Sequence, residues 1–511
     1  MFLIASLYGA LAQDVDSVDQ WGLIRVDDAH PDAIARSQLG STLAFPPTDG
    51  TKWRIESIPE TDSDTVLLSE MVDERLFASI GIDDWHDAGH LGQGVKIAVF
   101  DVQWFGASLL EQELGSFFTH DCWQDPLCDS PIDTLNPRFD FERGVHGVAC
   151  SEVVRDLAPE AELHLVRVNG QTTFENAVDW AIREEVDLIS MSMTFFNESF
   201  YDGSGPISEA IERLEEAGIL LITSAGNSAL NHYEDRFRDQ NQNGFHEFAN
   251  GFETLPIRAE SGDSRVASVI WDDFDRCGVN DFEVFLLDSS GNQIRQSDRK
   301  QEIGQQDCRP VERIRAPPEI DGKWVYLKIK RISGMEPVAL DIMSHSGTIF
   351  GAIPRNSMAD PAPHPYAFAV AAVPVDNYLH NGVEVFSSHG PSRGPLHKPD
   401  LAAPDGLSTQ SYGSRRFFGT SASAPVVAGA LAVLMSSETS MTPREAATRA
   451  THWAQNPDRR WTQPDPSLGA GLLRFPDPNP SDDEGCANRS LQATLLLLPL
   501  FAFRRKDVYS S

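Results

Sequence analysis

The sequence predicts an α/β core built on a central, mostly parallel sheet, with a small antiparallel β-sandwich set into it. Three observations carry this. Short apolar runs alternate with amphipathic helical segments from about residue 83, and strands alternating with helices call for a parallel sheet covered on both faces. Between about 240 and 350 the rhythm gives way to strand-like runs separated by turn signals, the pattern of an antiparallel unit. The first rhythm resumes near Ala367.

Val95 to Phe100 is an apolar strand that ends at Asp101, and Glu162 to Val168 is a second. Thr172 to Glu185 follows as an amphipathic helix. Thr172 and Glu175 read as its capping box, with Phe174, Ala177, Val178, Ala181 and Ile182 on one face. Val186 to Met191 is a strand. The next helix aligns Ile207, Ala210, Ile211, Leu214 and Ala217, and stops at Gly218. Ile219 to Thr223 is again a strand. In the 240–350 segment, Val266 to Trp271, Phe282 to Leu286 and Trp324 to Ile329 are strand-like, with a turn at Ser290-Gly291. A last helix begins at Thr442, Pro443 and Glu445.

At 511 residues the chain exceeds one ordinary domain. Its 41% apolar content is enough for a packed interior. A formal net charge of −35 excludes nucleic acid as a partner, because a polyanion is repelled by such a surface. Beyond solubility, the charge names no partner.

The division read from the sequence is as follows. Residues 1–12 form a signal peptide, an apolar run ending in Ala10-Leu11-Ala12 that lacks a basic residue before it. Residues 13–80 are a propeptide or an N-terminal extension, with turn formers at Pro46-Pro47 and Asp49-Gly50. The core comprises 81–239 and 351–475, interrupted by the sandwich at 240–350. An acidic linker (476–490) and a hydrophobic tail (491–511) close the chain. The tail's apolar run, Leu491 to Phe503, spans only about 20 Å as a helix, short of a bilayer core. Arg504-Arg505-Lys506 behind it favour the cytoplasmic side. The chain is therefore expected to be exported, secreted or held at a bacterial cell surface, with the tail as a membrane or surface attachment. Six cysteines suit an oxidising compartment. Cys122 with Cys128 and Cys277 with Cys308 are the expected bridges; Cys150 is expected as a buried free thiol, and Cys486 belongs to the tail.

The chemistry centres on Gly419-Thr420-Ser421-Ala422-Ser423-Ala424-Pro425, small residues leading into an apolar helix. Ser421 then sits near a helix N-terminus, where N–H groups and the positive dipole end stabilise developing negative charge. A serine hydroxyl needs a neighbouring base, although Ser or Thr before a helix is also a common cap. His146 lies between glycines in Gly144-Val145-His146-Gly147. Asp101 ends a buried strand, where a carboxylate needs a donor or cation to stay charged. Asn227, in Thr223-Ser224-Ala225-Gly226-Asn227-Ser228, offers an amide donor after another apolar strand. Each taken alone is also an ordinary turn or polar residue.

Together these stretches resemble the subtilisin-like serine peptidases, in the same order of Asp, His and Ser. Ser387-Ser388-His389-Gly390-Pro391 and Lys398-Pro399-Asp400-Leu401-Ala402-Ala403-Pro404 extend the resemblance, which runs from about residue 83 to 475. It implies a three-layer α/β sandwich and a serine endopeptidase acting on peptide or protein substrates. It also assigns roles: Ser421 as nucleophile, His146 as base, Asp101 as the group that orients the base, and Asn227 as oxyanion donor. Ser190, Met191, Ser192 and Met193 would line the substrate cleft, with the peptide docking as an added strand. Two positions depart from the family pattern. Val102-Gln103 follow the aspartate and Val148 follows His146-Gly147, each removing a hydroxyl whose hydrogen bond to a charged group is worth about 1.5–3 kcal/mol. The tail resembles the short cysteine-containing sorting tails of myxobacterial surface proteins, with a short membrane anchor as the alternative.

No cofactor is required by this chemistry. A structural calcium is the one cofactor expectation, at Asp239, Asn241 and Asn243, whose oxygens alternate ahead of Gly244. Position twelve of that loop is Asn250 instead of a bidentate Glu, and a polar surface turn is the competing reading. The competing class for the whole chain is a non-catalytic binding or adhesion protein that keeps the fold. Esterase activity shares the triad but finds no support in this fold family.

Overall fold

The computed structural model describes residues 73–479, apart from 138–143, 250, 260–264, 305–307, 316, 318–319, 321, 335–336, 346, 392, 394–396 and 456–463. The expected signal peptide, most of the N-terminal extension, Cys486 and the hydrophobic tail lie outside the described residues.

The chain enters through α1 (Glu74–Ile80) and α2 (Asp83–Asp87), followed by β1 (Lys96–Asp101), the one-turn α3 (Glu111–Leu114) and β2 (Phe117–Asp121). Then come α4 (His146–Leu157), β3 (Glu162–Arg167), α5 (Gln171–Arg183), β4 (Leu188–Met191), α6 (Pro206–Glu216) and β5 (Leu220–Ser224). Nine strands follow: β6 (His232–Arg236), β7 (Leu255–Ala259), β8 (Arg265–Trp271), β9 (Asp281–Leu287), β10 (Gln293–Ser297), β11 (Val311–Arg315), β12 (Trp324–Ser333), β13 (Ala339–Ser344) and β14 (Gly347–Ile349). The chain ends with β15 (Ala367–Pro374), β16 (Leu401–Asp405), the ribbon β17 (Leu407–Thr409) and β18 (Gly413–Phe417), then α7 (Thr420–Ser436) and α8 (Pro443–Trp453).

Seven strands form the central sheet in the order β16-β15-β5-β4-β1-β3-β2, every pair parallel. Successive side chains of a strand face opposite sides, and β1 shows the consequence. Ile97 and Val99 join a core with Val148, Val153 and Leu431 of α4 and α7, whereas Ala98 and Phe100 join one with Phe174 and Ile211 of α5 and α6. That makes the predicted three layers. Helix α7 is buried from Thr420 to Met435, as an all-apolar helix must be.

Within the α/β core, three boundaries differ from the sequence reading. Residues 73–80 belong to the core and not to an extension: Leu76 and Ile80 are buried in it, and Asp73 accepts the Ser408 N–H at 2.9 Å. Helix α5 starts one residue early behind Gly170. Its cap is Thr173, whose hydroxyl oxygen accepts the N–H groups of Asn169 and Gly170, while Glu175 pairs with Gln171 instead of closing a box with Thr172. Ala217, expected on the apolar face, is exposed beyond the end of α6.

Residues 232–349 form two antiparallel sheets, of five strands (β10-β9-β12-β7-β14) and four (β11-β8-β13-β6). Strand β9 alternates half-buried and buried positions, and Phe282, Val284 and Leu286 meet Val269, Trp271 and Ile342 in a separate core. The sandwich begins at His232, ahead of the predicted 240, because β6 is too polar (His-Tyr-Glu-Asp-Arg) to register as a strand. Both expected disulfides are present, and Cys150 is a buried free thiol.

A buried ionic cluster seats the sandwich on the core. Arg393, from the loop between β15 and β16, donates to Asp341 of β13 and to Glu234 of β6. His232 meets the same Asp341 oxygen at 2.9 Å. Burial opposes ionisation of Asp341, but Arg393 and His232 outweigh it and hold the carboxyl below the ordinary range.

Candidate active site

Asp101 is fully buried at the carboxyl end of β1, where parallel sheets place their reactive groups. Its Oδ1 accepts the backbone N–H groups of Val102 at 2.7 Å and Gln103 at 3.0 Å. Two main-chain donors thus satisfy this oxygen without a hydroxyl at 102 or 103. Oδ2 accepts from His146 Nδ1 at 2.6 Å. A carboxylate only accepts, so Nδ1 carries the hydrogen and the neutral ring presents Nε2 as its base. Burial pulls the His146 pKa down, but the Asp101 charge and hydrogen bond outweigh it and raise the pKa above its ordinary value.

His146 is the first residue of α4, and glycine behind it is a steric requirement. A Cβ on Gly147 would lie 2.7 Å from Asp101 Cβ and 2.9 Å from the Gln103 carbonyl oxygen. Helices α4 and α7 pack just as closely: a Cβ on Gly429 would lie 2.6 Å from that of Leu157. This contact lets the two helices lie closely side by side.

Ser421 is the second residue of α7 and 6% exposed. Its carbonyl would normally accept the N–H four residues on, but that residue is Pro425, which has none. The Ser192 hydroxyl at 2.9 Å and the Cys150 thiol at 3.6 Å donate to this carbonyl instead. Cys150 lies one turn along α4 from His146, so the nucleophile's backbone is fastened to the helix that carries the base. Among the described residues no hydrogen bond joins the Ser421 hydroxyl to His146; the helices that bear them are joined by the Cys150 thiol on the Ser421 carbonyl, and catalytic hydrogen bonds often tighten only when substrate binds.

Asn227 follows β5. Its Oδ1 accepts both the N–H of Thr420 at 3.0 Å and the Thr420 hydroxyl at 2.9 Å. That fixes the amide, leaving Nδ2 without a hydrogen-bond partner among the described residues and 3.1 Å from where a Cβ on Gly419 would lie. Thr420 was not legible as a positioning group from sequence, since its partner is 193 residues away. Ser388 holds the same turn from the other side, its Oγ accepting from Ser228 N and its N–H donating to Gly226 O.

Two other expectations fare differently. Ser190 and Met191 are fully buried in β4, and Met191 belongs to the core shared with α5 and α6, so their side chains line no cleft. Both lie inside the sheet, and the strand first reaches the site at Ser192. In the 239–244 loop, Asp239, Asn241 and Asn243 come together as an acceptor-rich turn. Asp239 accepts from Asn243 N and Gly244 N, Asn241 Oδ1 from Asn243 N, and Asn243 Oδ1 from Phe245 N. The amides of Asn241 and Asn243 both donate to Glu253. Lys328 is the main cause that lowers the Glu253 carboxyl to about 2.

The Subtilase family model matches residues 143–255 and 346–471, leaving out most of the sandwich. The minor extracellular protease Vpr of Bacillus subtilis (strain 168) is 26% identical over 184 residues, 33% of this chain and 22% of that protein. The chain thus matches about a fifth of that relative's length. The structure of the Clostridium perfringens CspB protease aligns with a TM-score of 0.56 and 14% identity, over 79% of this chain and 96% of that one. This is a likeness of fold. The fold is that of a subtilisin-like α/β protein.

Proposed function

We propose that this chain is an exported serine endopeptidase that hydrolyses peptide bonds through an acyl-enzyme on Ser421. The observation that carries the reading is the 2.6 Å bond between His146 and a buried Asp101, on a helix packed against the one that bears Ser421. In the proposed cycle Ser421 Oγ attacks the scissile carbonyl while its proton passes to His146 Nε2. Asp101 stabilises the imidazolium without taking the proton. The Ser421 N–H and Asn227 Nδ2 bind the oxyanion. Collapse breaks the C–N bond, and His146 returns the proton to the leaving amine. Water then repeats the sequence on the ester and frees Ser421. The peptide would lie as an added strand beside the end of β4.

Export is supported by the two disulfides, which persist in oxidising compartments. No helix among the described residues is long and apolar enough to cross a membrane.

The test is hydrolysis of an unfolded protein such as reduced casein, with Ser421→Ala as control. Cleavage should fall about 10⁶-fold, the scale seen when a serine peptidase loses its nucleophile, with the circular dichroism spectrum unchanged. Cleavage that survives the substitution contradicts the reading. A wild-type protein that binds peptides without cutting them points to the binding-module alternative.

A further inference from the structure

We propose that the Gln103 carboxamide is a substrate-reading group, selecting a polar side chain on the peptide residue that lies beside His146; this rests on the peptidase reading. The backbone of Gln103 is clamped at both ends to the catalytic machinery. Its N–H donates to Asp101 Oδ1 at 3.0 Å, and its carbonyl accepts the N–H of Gly147 at 2.9 Å. The side chain lies over Gly144, two residues before His146. A Cβ built on Gly144 would come 2.2 Å from Gln103 Cδ and 2.5 Å from each of Nε2 and Oε1. The amide therefore fills space that any other residue at 144 would occupy.

Gln103 is half-buried, and neither amide atom has a hydrogen-bond partner among the described residues. A carboxamide held at the rim of the triad with donor and acceptor both free favours a ligand that supplies partners. An aliphatic group placed against it would strip its water and give nothing back. Because the amide is neutral and both donates and accepts, it reads polarity instead of charge sign. Peptides with Ser, Thr, Asn or Gln at that position are the matched class. The effect expected of a net hydrogen bond at a half-exposed site is about 3- to 10-fold.

The experiment measures kcat/KM on fluorogenic peptide sets varied at one position at a time, for the full chain and four variants. Gln103→Ala should lose about 3- to 10-fold on polar residues at one position and little on aliphatic ones. Gln103→Glu should shift preference at that position toward Lys and Arg. Gly144→Ala should reproduce the Gln103→Ala profile, since the methyl group occupies the amide's place, and combining the two should add nothing further. Gly144 does not have a left-handed φ, so alanine there meets no backbone strain. Labelling of each variant by a small fluorophosphonate, which offers no peptide, measures any change in Ser421 reactivity itself, and the peptide rates are read relative to it. Profiles that superimpose on wild type overturn the proposal, as does a uniform fall across all peptides, the mark of a packing role. In both cases the peptidase reading stands, because wild type still cleaves; a wild type that cleaves no peptide and takes no label removes the two together.

Discussion

Two aspartate–histidine pairs among the described residues have a carboxylate no more than 1% exposed, one in the parallel core and one at the root of the sandwich. Asp101 meets His146 at 2.6 Å and Asp341 meets His232 at 2.9 Å. Their surroundings separate them. His146 opens a helix, keeps 14% of its side chain exposed, and presents Nε2 without a hydrogen-bond partner among the described residues. His232 is wholly buried, and its other nitrogen meets the carbonyl of Ile353 at 2.7 Å. Asp101 gives its second oxygen to backbone N–H groups, whereas Asp341 takes the guanidinium of Arg393. The lesson is that an Asp–His bond is no more a catalytic signature than a structural one. What decides is whether the far nitrogen of the ring is left free beside a nucleophile or tied off by the main chain.

Swapping the charge out of each pair should break this symmetry in opposite directions. Asp101→Asn is expected to cut kcat by about 10⁴ with little change in urea stability, since the backbone donors to Oδ1 remain. Asp341→Asn should leave kcat near wild type well below the melting temperature while lowering stability by about 3 kcal/mol, as Arg393 and His232 lose the buried charge they share and Arg393 keeps only the more distant Glu234. Because Asp341's pKa is held down, its contribution is present above the ordinary carboxylate range and lost as pH falls through the lowered value. Equal effects of the two substitutions on activity would erase the distinction. A finer probe is Asn227→Ala, expected to lower kcat by about 10²–10³ with KM nearly unchanged. Thr420→Val should do the same more weakly, because it frees the amide to turn.

The legible part of the molecule was the part written in local patterns. Val95 to Phe100 is apolar without interruption because β1 is covered on both faces, and its end placed Asp101 correctly. Gly144-Val145-His146-Gly147 and the Gly-Thr-Ser block each mark the start of a helix, and short spacing paired Cys122 with Cys128. The contacts that were missed join distant segments. Thr420 with Asn227, Ser192 with the Ser421 carbonyl, and Arg393 with Asp341 are each between residues more than 50 positions apart, and no periodicity records them. One had a local signal: Pro425, four residues after Ser421, already meant that the Ser421 carbonyl needs a donor from elsewhere. The placement of Ser190 and Met191 in a cleft failed for a related reason, since a motif marks a strand without saying which residue first emerges from the sheet.

The central claim is that Ser421 is activated by a base whose pKa is set by Asp101. The rate of fluorophosphonate labelling of the intact protein, measured from pH 5 to 9 with the modified peptide identified by mass, tests it most directly. The imidazole is a base only when neutral, and its pKa is raised above the ordinary 6.5. Labelling should therefore be confined to Ser421, fall about tenfold per pH unit below that raised value, and be abolished by His146→Ala. A rate independent of pH, or a label that persists after His146→Ala, would contradict the account.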